Sequence, residues 1–247
     1  MDILLNGATG RMGKEVEKYI ENQEDIKIKC GFGIEEILDK NFPIYNDINK
    51  IKEKVDVIID FSTPKATFKI LEYAKQTKTP IVIATTGFSK DELKKIENLS
   101  KEIPIFISSN MSVDINLMAQ IVQKIAKVLS SADIEIIETH HNKKIDAPSG
   151  TAILLADAIN EVFNKEKTYT FDRMQKREQR NKKEIGFSSI RGGNIVGEHT
   201  VEFFGENESL EITHKAYSRQ VFAEGAVKAA KFLLNKNQGL YNMKDLT

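Results

Sequence analysis

Short apolar runs alternate with amphipathic stretches through the first half of the chain. Residues 2–6 (DILLN) are too short a run for a helix and predict a strand. Strands are likewise predicted over 26–31, 56–61 (DVIIDF), 81–85 (IVIAT) and 105–108. Between them the apolar positions recur at helical spacing. Val16, Tyr19 and Ile20 share one face of a helix over 11–22. Ser62 or Thr63 caps a helix over 64–78, with Pro64 in its first turn. Ser89 and Glu92 have the spacing of a capping box. Strands apolar on both faces and joined by helices imply a parallel sheet covered on both sides. The fold class is therefore α/β, beginning with a Rossmann-like doubly wound parallel sheet. Its ligand crevice is expected beyond the carboxyl ends of the strands.

The second half has a different rhythm. A long helix is predicted over 113–129, with Met118, Ile121, Ile125 and Val128 on one stripe. A strand follows over 133–138, then a helix over 151–163 with Leu155, Ala158, Ile159 and Val162 inward. Residues 164–184 are densely charged with few apolar anchors and predict a mobile excursion. Segments 198–204 and 209–215 alternate apolar and polar residues across Gly205-Glu206-Asn207-Glu208, the pattern of an antiparallel hairpin. A last helix is predicted over 219–235, with Phe222, Ala226, Ala229 and Leu233 aligned. The second half thus predicts an α+β domain. The boundary is expected near Asn110 and Met111.

Composition narrows the function classes. The 247 residues carry 36 basic and 36 acidic side chains, a formal net charge of zero, which argues against bulk nucleic-acid binding. Cys30 is the one cysteine, so a disulfide framework within the chain and a cysteine-only zinc site are both ruled out. That fits a reducing cytoplasm, and Cys30 reads as a small core residue. The first ten residues have neither a basic region nor a long apolar run, so no signal peptide is expected. No stretch approaches 18 apolar residues, so no membrane span is expected.

Two segments carry candidate chemistry. Gly7-Ala8-Thr9-Gly10-Arg11-Met12-Gly13 lies between the first strand and the first helix. Gly7 suits the tight turn, Gly10 the approach of a pyrophosphate, and Gly13 close packing of helix on strand. The helix N-terminus supplies N–H donors for phosphates. A purely structural turn is the plainer alternative, and Arg11 stands within reach of either a phosphate or solvent. A dinucleotide of this kind usually meets an acidic residue at the end of the second strand. Here Gly33 occupies that place, Glu35 and Glu36 follow late, and no arginine is near for a 2′-phosphate. The choice between NADH and NADPH stays open.

The second segment, residues 138–152, reads ETHHNKKIDAPSGTA. Adjacent His140 and His141 follow a predicted strand, Lys143 and Lys144 follow them, and Pro-Ser-Gly-Thr opens a helix. Proton donors, cations and an anion-binding helix N-terminus meet in one loop. The combination suits a small polyanionic substrate. Metal binding is the rival, but adjacent residues diverge on a strand and no third nearby histidine or cysteine completes a set. A solvated basic loop is the bland alternative. His199 and His214 read as sheet or interface residues. Arg191 and Arg219 read as substrate contacts or as structural residues.

These residues resemble the 4-hydroxy-tetrahydrodipicolinate reductase family, long called dihydrodipicolinate reductase. Residues 138–152 are similar to its HHxxKxDAPSGT signature, 7–13 (GATGRMG) to its nucleotide loop and 84–87 (ATTG) to its G-T-T-G. Residues 192–199 (GGNIVGEH), 212–222 (ITHKAYSRQVF) and 239–241 (GLY) extend the likeness nearly end to end. The resemblance implies NAD(P)H-dependent reduction of a cyclic imine-type dicarboxylate to tetrahydrodipicolinate, on the diaminopimelate route to lysine. It implies His140 as the acid/base histidine, Lys144 as the proton-donating lysine, and His141 as a substrate contact. Gly150 and Thr151 would hold a substrate carboxylate through backbone N–H groups. Gly7, Ala8, Thr9, Gly10, Arg11 and Met12 would hold the pyrophosphate, with Gly33 near the adenosine ribose. Ala84, Thr85 and Thr86 would lie on the nicotinamide side, and Ser108, Ser109, Asn110 and Met111 would line the cofactor near the boundary.

The resemblance further implies a dinucleotide-binding domain over 1–111, with a C-terminal helix in 220–247 packed back on it. Residues 112–219 would form a substrate-binding and oligomerisation domain, and the assembly would be a homotetramer. No metal, nucleic acid or membrane partner is expected, and the expected location is cytoplasmic. Departures from the family pattern are Ala84 for a glycine, Met111 for an aromatic, Asp114 for a glycine, and the missing carboxylate at Gly33. Two other functions share parts of this pattern: a non-catalytic NAD(P)-sensing regulator, and a reductase of a related dicarboxylate imine.

Overall fold

The computed structural model describes residues 1–174 and 177–246. It divides into two compact units, Met1–Val113 with Arg219–Thr247, and Asp114–Ser218.

In the first unit, seven strands form one sheet. They are β1 (Asp2–Asn6), β2 (Lys27–Phe32), β3 (Ile44–Tyr45), β4 (Val57–Asp60), β5 (Ile81–Ile83), β6 (Pro104–Ile107) and a last strand (Gly239–Tyr241). Their order is last strand-β6-β5-β4-β1-β2-β3, and every pairing is parallel. The direction of winding reverses between β1 and β4, so a crevice opens at their carboxyl ends. Alternate residues of each strand point to opposite faces. Ile3, Leu5, Val57, Ile59, Val82 and Phe106 face the helix Arg11–Ile20 (α1) and the helix Gln220–Leu233. Leu4, Cys30, Ile58, Ile81, Ile83 and Ile105 face the helices Pro64–Thr77 (α2) and Lys90–Leu99 (α3). This is the doubly wound arrangement the sequence pattern implies.

The caps follow the sequence reading. Thr63 Oγ1 accepts from the Ala66 N–H at the head of α2. At α3, Ser89 N–H donates to Glu92 and the Glu92 N–H to Ser89 Oγ, the reciprocal box. Cys30 is fully buried, and burial pushes its thiol up to about 12, which makes it inert packing.

The second unit stacks α4 (Val113–Val128) and α5 (Gly150–Val162) on one face of a five-stranded sheet. Its strands are β7 (Asp133–His140), β8 (Thr168–Thr170), β9 (Glu184–Arg191), β10 (Gly197–Phe204) and β11 (Ser209–Ala216), in the order β11-β10-β7-β9-β8. β10 runs antiparallel to β7 and β11, while β7, β9 and β8 are mutually parallel. The expected hairpin is β10–β11, closed by Gly205 N–H to Glu208 O at 2.8 Å.

Two expectations differ. The buried stripe of α4 is Ile115, Met118, Val122 and Ala126, while Val128 is 81% exposed. The charged segment after α5 is anchored by ion pairs as well as by Tyr169 and Phe171, whose rings pack on Phe187. Arg173 bonds Glu135 and Glu184 at 2.8 and 2.6 Å, Arg180 bonds Asp133 at 2.6 Å, and β8 pairs with β9. Gln175 and Lys176, which fall in the expected excursion, lie outside the described residues.

Candidate active site

In the first unit, the crevice at the ends of β1, β2 and β4 is a groove of about 470 Å³. Gly7, Thr9, Gly10 and Gly33 line it, with Phe61, Ser62 and Thr63 from the β4–α2 turn. Gly7 has φ of 81°, and a Cβ there would strike the Phe61 carbonyl. Gly13 lies where a Cβ would collide with the Gly7 and Ala8 backbone, so α1 packs directly on the loop. The N-cap of α1 is Gly10, which offers no side-chain bond, and the first turn holds no carboxylate. The helices α2, α3 and α5 all carry side-chain caps. The head of α1 is therefore the one of these four without a side-chain cap, and its N–H groups are available to an outside anion. A glycine-rich backbone turn at an uncapped helix start fits a dinucleotide pyrophosphate.

Among the other residues expected at the cofactor, Ala8 is buried and Arg11 is exposed. Met111 lies in the core of this unit. Ser108 Oγ donates to Asn110 O at 2.7 Å, and Asn110 Oδ1 accepts from Ser112 N–H at 2.8 Å, a self-bonded turn. None of Met12, Ala84, Thr86, Ser108, Ser109, Asn110 or Met111 is among the residues that line the groove.

Thr85 belongs to a network that sequence reasoning missed. Asp60, fully buried at the end of β4, accepts from Asn6 Nδ2 (2.8 Å), Ser62 Oγ (2.5 Å), Thr67 Oγ1 (2.5 Å) and Thr85 Oγ1 (3.0 Å). Burial raises its carboxyl above the usual range, while the four donors pull the other way. One side chain thus ties together the ends of β1, β4 and β5 and the first turns of α2.

In the second unit, the signature segment folds around Glu138, which is 1% exposed. The β7–β9 register puts His140 opposite Arg191, and the β7–β10 register puts Glu138 opposite His199. Arg191 forms a fork on Glu138, Nη2 to Oε1 at 2.7 Å and Nη1 to Oε2 at 2.8 Å. His140 Nδ1 donates to Glu138 Oε2 at 2.5 Å. The Ser149 N–H donates to Oε1 at 3.2 Å, tying the head of α5 to β7. Burial alone would raise the Glu138 carboxyl. Bonds from Arg191, Ser189 and His140 outweigh burial and hold it at about 2.

An ionised Glu138 only accepts, so His140 carries a ring proton on Nδ1 and leaves Nε2 as the nitrogen not committed to Glu138. Burial lowers the His140 imidazole below its ordinary value; Glu138 opposes this, and Lys144 and Arg191 add to it. Gly197 clears the space beside Nε2, since a Cβ there would sit 3.0 Å from it. His199 packs edge-on to His140 at 5.1 Å between centroids, and its Nε2 lies 2.8 Å from Ser149 Oγ. Burial, reinforced by the charge on His140, pushes His199 down to about 3, so it stays neutral.

Lys144 is placed by the loop that follows β7. The Lys144 N–H donates to His141 O at 3.1 Å, and the His141 N–H donates to Ile195 O at 2.8 Å. Lys144 Nζ donates to both oxygens of Asp146 at 2.8 Å, while Arg191 Nη2 donates to the Asp146 carbonyl at 2.7 Å. Glu138, Arg191, Asp146 and Lys144 therefore form one bonded frame that includes His140. At its edge α5 begins: Ser149 Oγ takes the Ala152 N–H at 3.1 Å, and Gly150 has open space where a Cβ would stand. Gly150 and Thr151 occupy the first turn, where backbone N–H groups and the helix dipole favour a carboxylate.

The frame holds more than the sequence revealed. His140, Lys144 and Gly150 are joined through Glu138, Arg191, Asp146 and Ser149, and His199 touches His140. The only sequence signal for Glu138 and Asp146 is their place inside the 138–152 segment. Arg191 lies 45 residues beyond Asp146 and His199 further still, and both depend on strand register.

Comparison with known proteins agrees with this arrangement. The family described as dihydrodipicolinate reductase, N-terminus, matches residues 1–111, and its C-terminus counterpart matches residues 114–247. The chain is 49% identical to a 4-hydroxy-tetrahydrodipicolinate reductase of Caldanaerobacter subterraneus subsp. tengcongensis, over 99% of this chain and 97% of that one. It is 44% identical to the enzyme of that name from Clostridium novyi, with the same coverage. A solved dihydrodipicolinate reductase from Paenisporosarcina sp. TG-14, bound to dipicolinate, superposes with a TM-score of 0.82 at 25% identity, covering 100% of this chain and 99% of that one. The chain belongs to the dihydrodipicolinate reductase family, NAD(P)H-dependent oxidoreductases of lysine and diaminopimelate biosynthesis.

Proposed function

We propose that the Glu138–Arg191–Asp146 frame is the proton-handling centre of this reductase. The reaction is reduction of 4-hydroxy-tetrahydrodipicolinate to tetrahydrodipicolinate. The observation that carries this reading is the geometry at His140. Its Nδ1 is committed to a buried carboxylate, and its Nε2 faces a space kept clear by Gly197.

In this reading Gly150 and Thr151 bind one substrate carboxylate at the head of α5, and His141 contacts the substrate. Lys144 exchanges its bond to Asp146 for the substrate, offsets negative charge developing on the ring and supplies a proton. His140 Nε2 acts as the acid/base partner. Burial lowers the His140 imidazole, and an arriving dianion favours its protonated form. The open head of α1, with Gly7, Thr9 and Gly10, holds the pyrophosphate of a pyridine dinucleotide, NADH or NADPH, and Gly33 stands at its adenosine end. The bound dihydronicotinamide supplies the hydride. Thr85, fixed by Asp60, together with Ala84 and Thr86, borders its ribose. The dicarboxylate bound by the solved relative from Paenisporosarcina supports an anionic substrate of this kind.

The chain is further proposed to work in the cytoplasm as a homotetramer. The sheet face away from α4 and α5 supports this, since Ile190 and Phe204 are exposed there. No helix among the described residues is long and apolar enough to cross a membrane.

The test is Lys144→Ala and His140→Gln in steady-state assays with separate nucleotide titrations. Turnover is expected to fall roughly 100-fold or more for Lys144→Ala, with nucleotide affinity unchanged. Turnover near that of the parent chain would contradict the assignment.

A further inference from the structure

The groove at the ends of β1, β2 and β4 has a one-sided charge. Two cations, Lys65 and Lys69, are among its lining residues, and no carboxylate is. They stand four residues apart on α2, so they share one helix face and reach the same stretch of groove. Neither is ion-paired among the described residues, in contrast to Lys50, which Glu36 holds at 2.8 Å. Asn46 adds an amide to the same lining.

The acidic side of the question is equally specific. A dinucleotide lacking a 2′-phosphate is usually selected by a carboxylate at the end of the second strand, which binds the ribose hydroxyls and repels a phosphate. That place is held by Gly33, and a Cβ there would press on Thr9 at 3.2 Å and on Ile44 at 3.3 Å. Of the two carboxylates that follow, Glu36 is taken by Lys50 at 2.8 and 3.1 Å, and Glu35 is not among the lining residues. A phosphate monoester carries about −1.5 to −2 charges near neutral pH. In this groove it would meet two ammonium groups and an amide without a carboxylate to oppose it.

We propose that Lys65 and Lys69 bind the 2′-phosphate of a phosphorylated dinucleotide, so that this chain takes NADPH in preference to NADH. This rests on the reading of the groove as the nucleotide site. The lysines replace the arginine that the sequence lacks near Gly33, and they come from α2 instead of the β2 loop. Both ammonium groups are exposed, so their attraction for a phosphate is screened by salt.

The experiment is calorimetric titration of the full chain with 2′,5′-ADP and with ADP. It uses the parent chain, Lys65→Gln, Lys69→Gln and the double variant, and needs no turnover. Thermal melting confirms that the surface variants fold. The parent chain is expected to bind 2′,5′-ADP on the order of tenfold more tightly than ADP. The double variant is expected to lose most of that margin with ADP affinity retained, and added salt to weaken 2′,5′-ADP selectively. Equal affinity for the two ligands in the parent chain, or a margin that survives in the double variant, overturns the proposal. Failure of both ligands to bind the parent chain would instead overturn the nucleotide reading of the groove, and this inference with it.

Discussion

Glu138 is the residue around which the proposed proton-handling frame of the second unit is built. It sets the proton position on His140, receives the Arg191 fork and holds the start of α5. Its carboxyl is held at about 2 in the fold, against an ordinary value of 4.5. A depressed carboxylate contributes stability that is complete above the unfolded value and is lost as pH falls through the folded one. Denaturant unfolding between pH 7 and pH 2 should therefore show stability falling from about pH 4.5 downward. Glu138→Gln should start roughly 3 kcal/mol lower, because Arg191 loses its buried partner, and should show a flatter acid limb. An acid limb unchanged by the substitution would contradict this role. Gly197 gives a gentler probe. Gly197→Ala places a methyl 3.0 Å from His140 Nε2 and is expected to lower turnover about tenfold with little change in melting temperature. Equal turnover would show that Nε2 does not work in that space. At this scale His140, Lys144, Gly150 and Thr151 stand out as candidates in the sequence because they share one dense segment. Arg191 and His199 were ambiguous because their neighbours are set by β7–β9 and β7–β10 register, which no local pattern encodes.

Among the elements, the most legible were those with strong period and good caps. The Ser89–Glu92 box and the Thr63–Pro64 start appear where their spacing placed them. β3, β8 and the last strand are two or three residues long, too short for a period to register. β9 was missed for another reason. Its Glu184 is buried by pairing with Arg173 instead of by apolar packing, so the strand opens on a charge. The parallel sheet depends on a similar polar device at Asp60, which pins three strand ends through four side-chain donors. Asp60→Ala leaves Asn6, Thr67 and Thr85 short of an acceptor and is expected to cost on the order of 3 kcal/mol. Nucleotide affinity should fall with it, because Gly7 and Phe61 adjoin these strand ends. Melting curves and a nucleotide titration check both effects, and an Asp60→Ala chain of parental stability would show that water replaces the carboxylate.

For the whole molecule, the pattern of apolar runs was enough to separate a doubly wound parallel unit from an α+β unit. Each has its own core, with Ile, Leu and Val from strands meeting helix faces. Assembly is not written in that pattern. Ile190 (51% exposed) and Phe204 (40% exposed) lie on the sheet face that the proposed tetramer would cover. Sedimentation equilibrium is expected to give the mass of four chains, and Ile190→Lys to give a smaller species. A monomeric parent chain would contradict the tetramer.

The most direct test of the central claim is a coupled absorbance assay on the parent chain and on Lys144→Ala. An upstream synthase makes the labile substrate in the cuvette from pyruvate and aspartate semialdehyde, and loss of the reduced nicotinamide is followed. Oxidation that depends on both the synthase and this chain, and that falls roughly 100-fold in Lys144→Ala while the variant still binds nucleotide, is the predicted result. Undiminished oxidation in the variant would contradict the proton-handling frame, and no oxidation by the parent chain would contradict the proposed reaction itself.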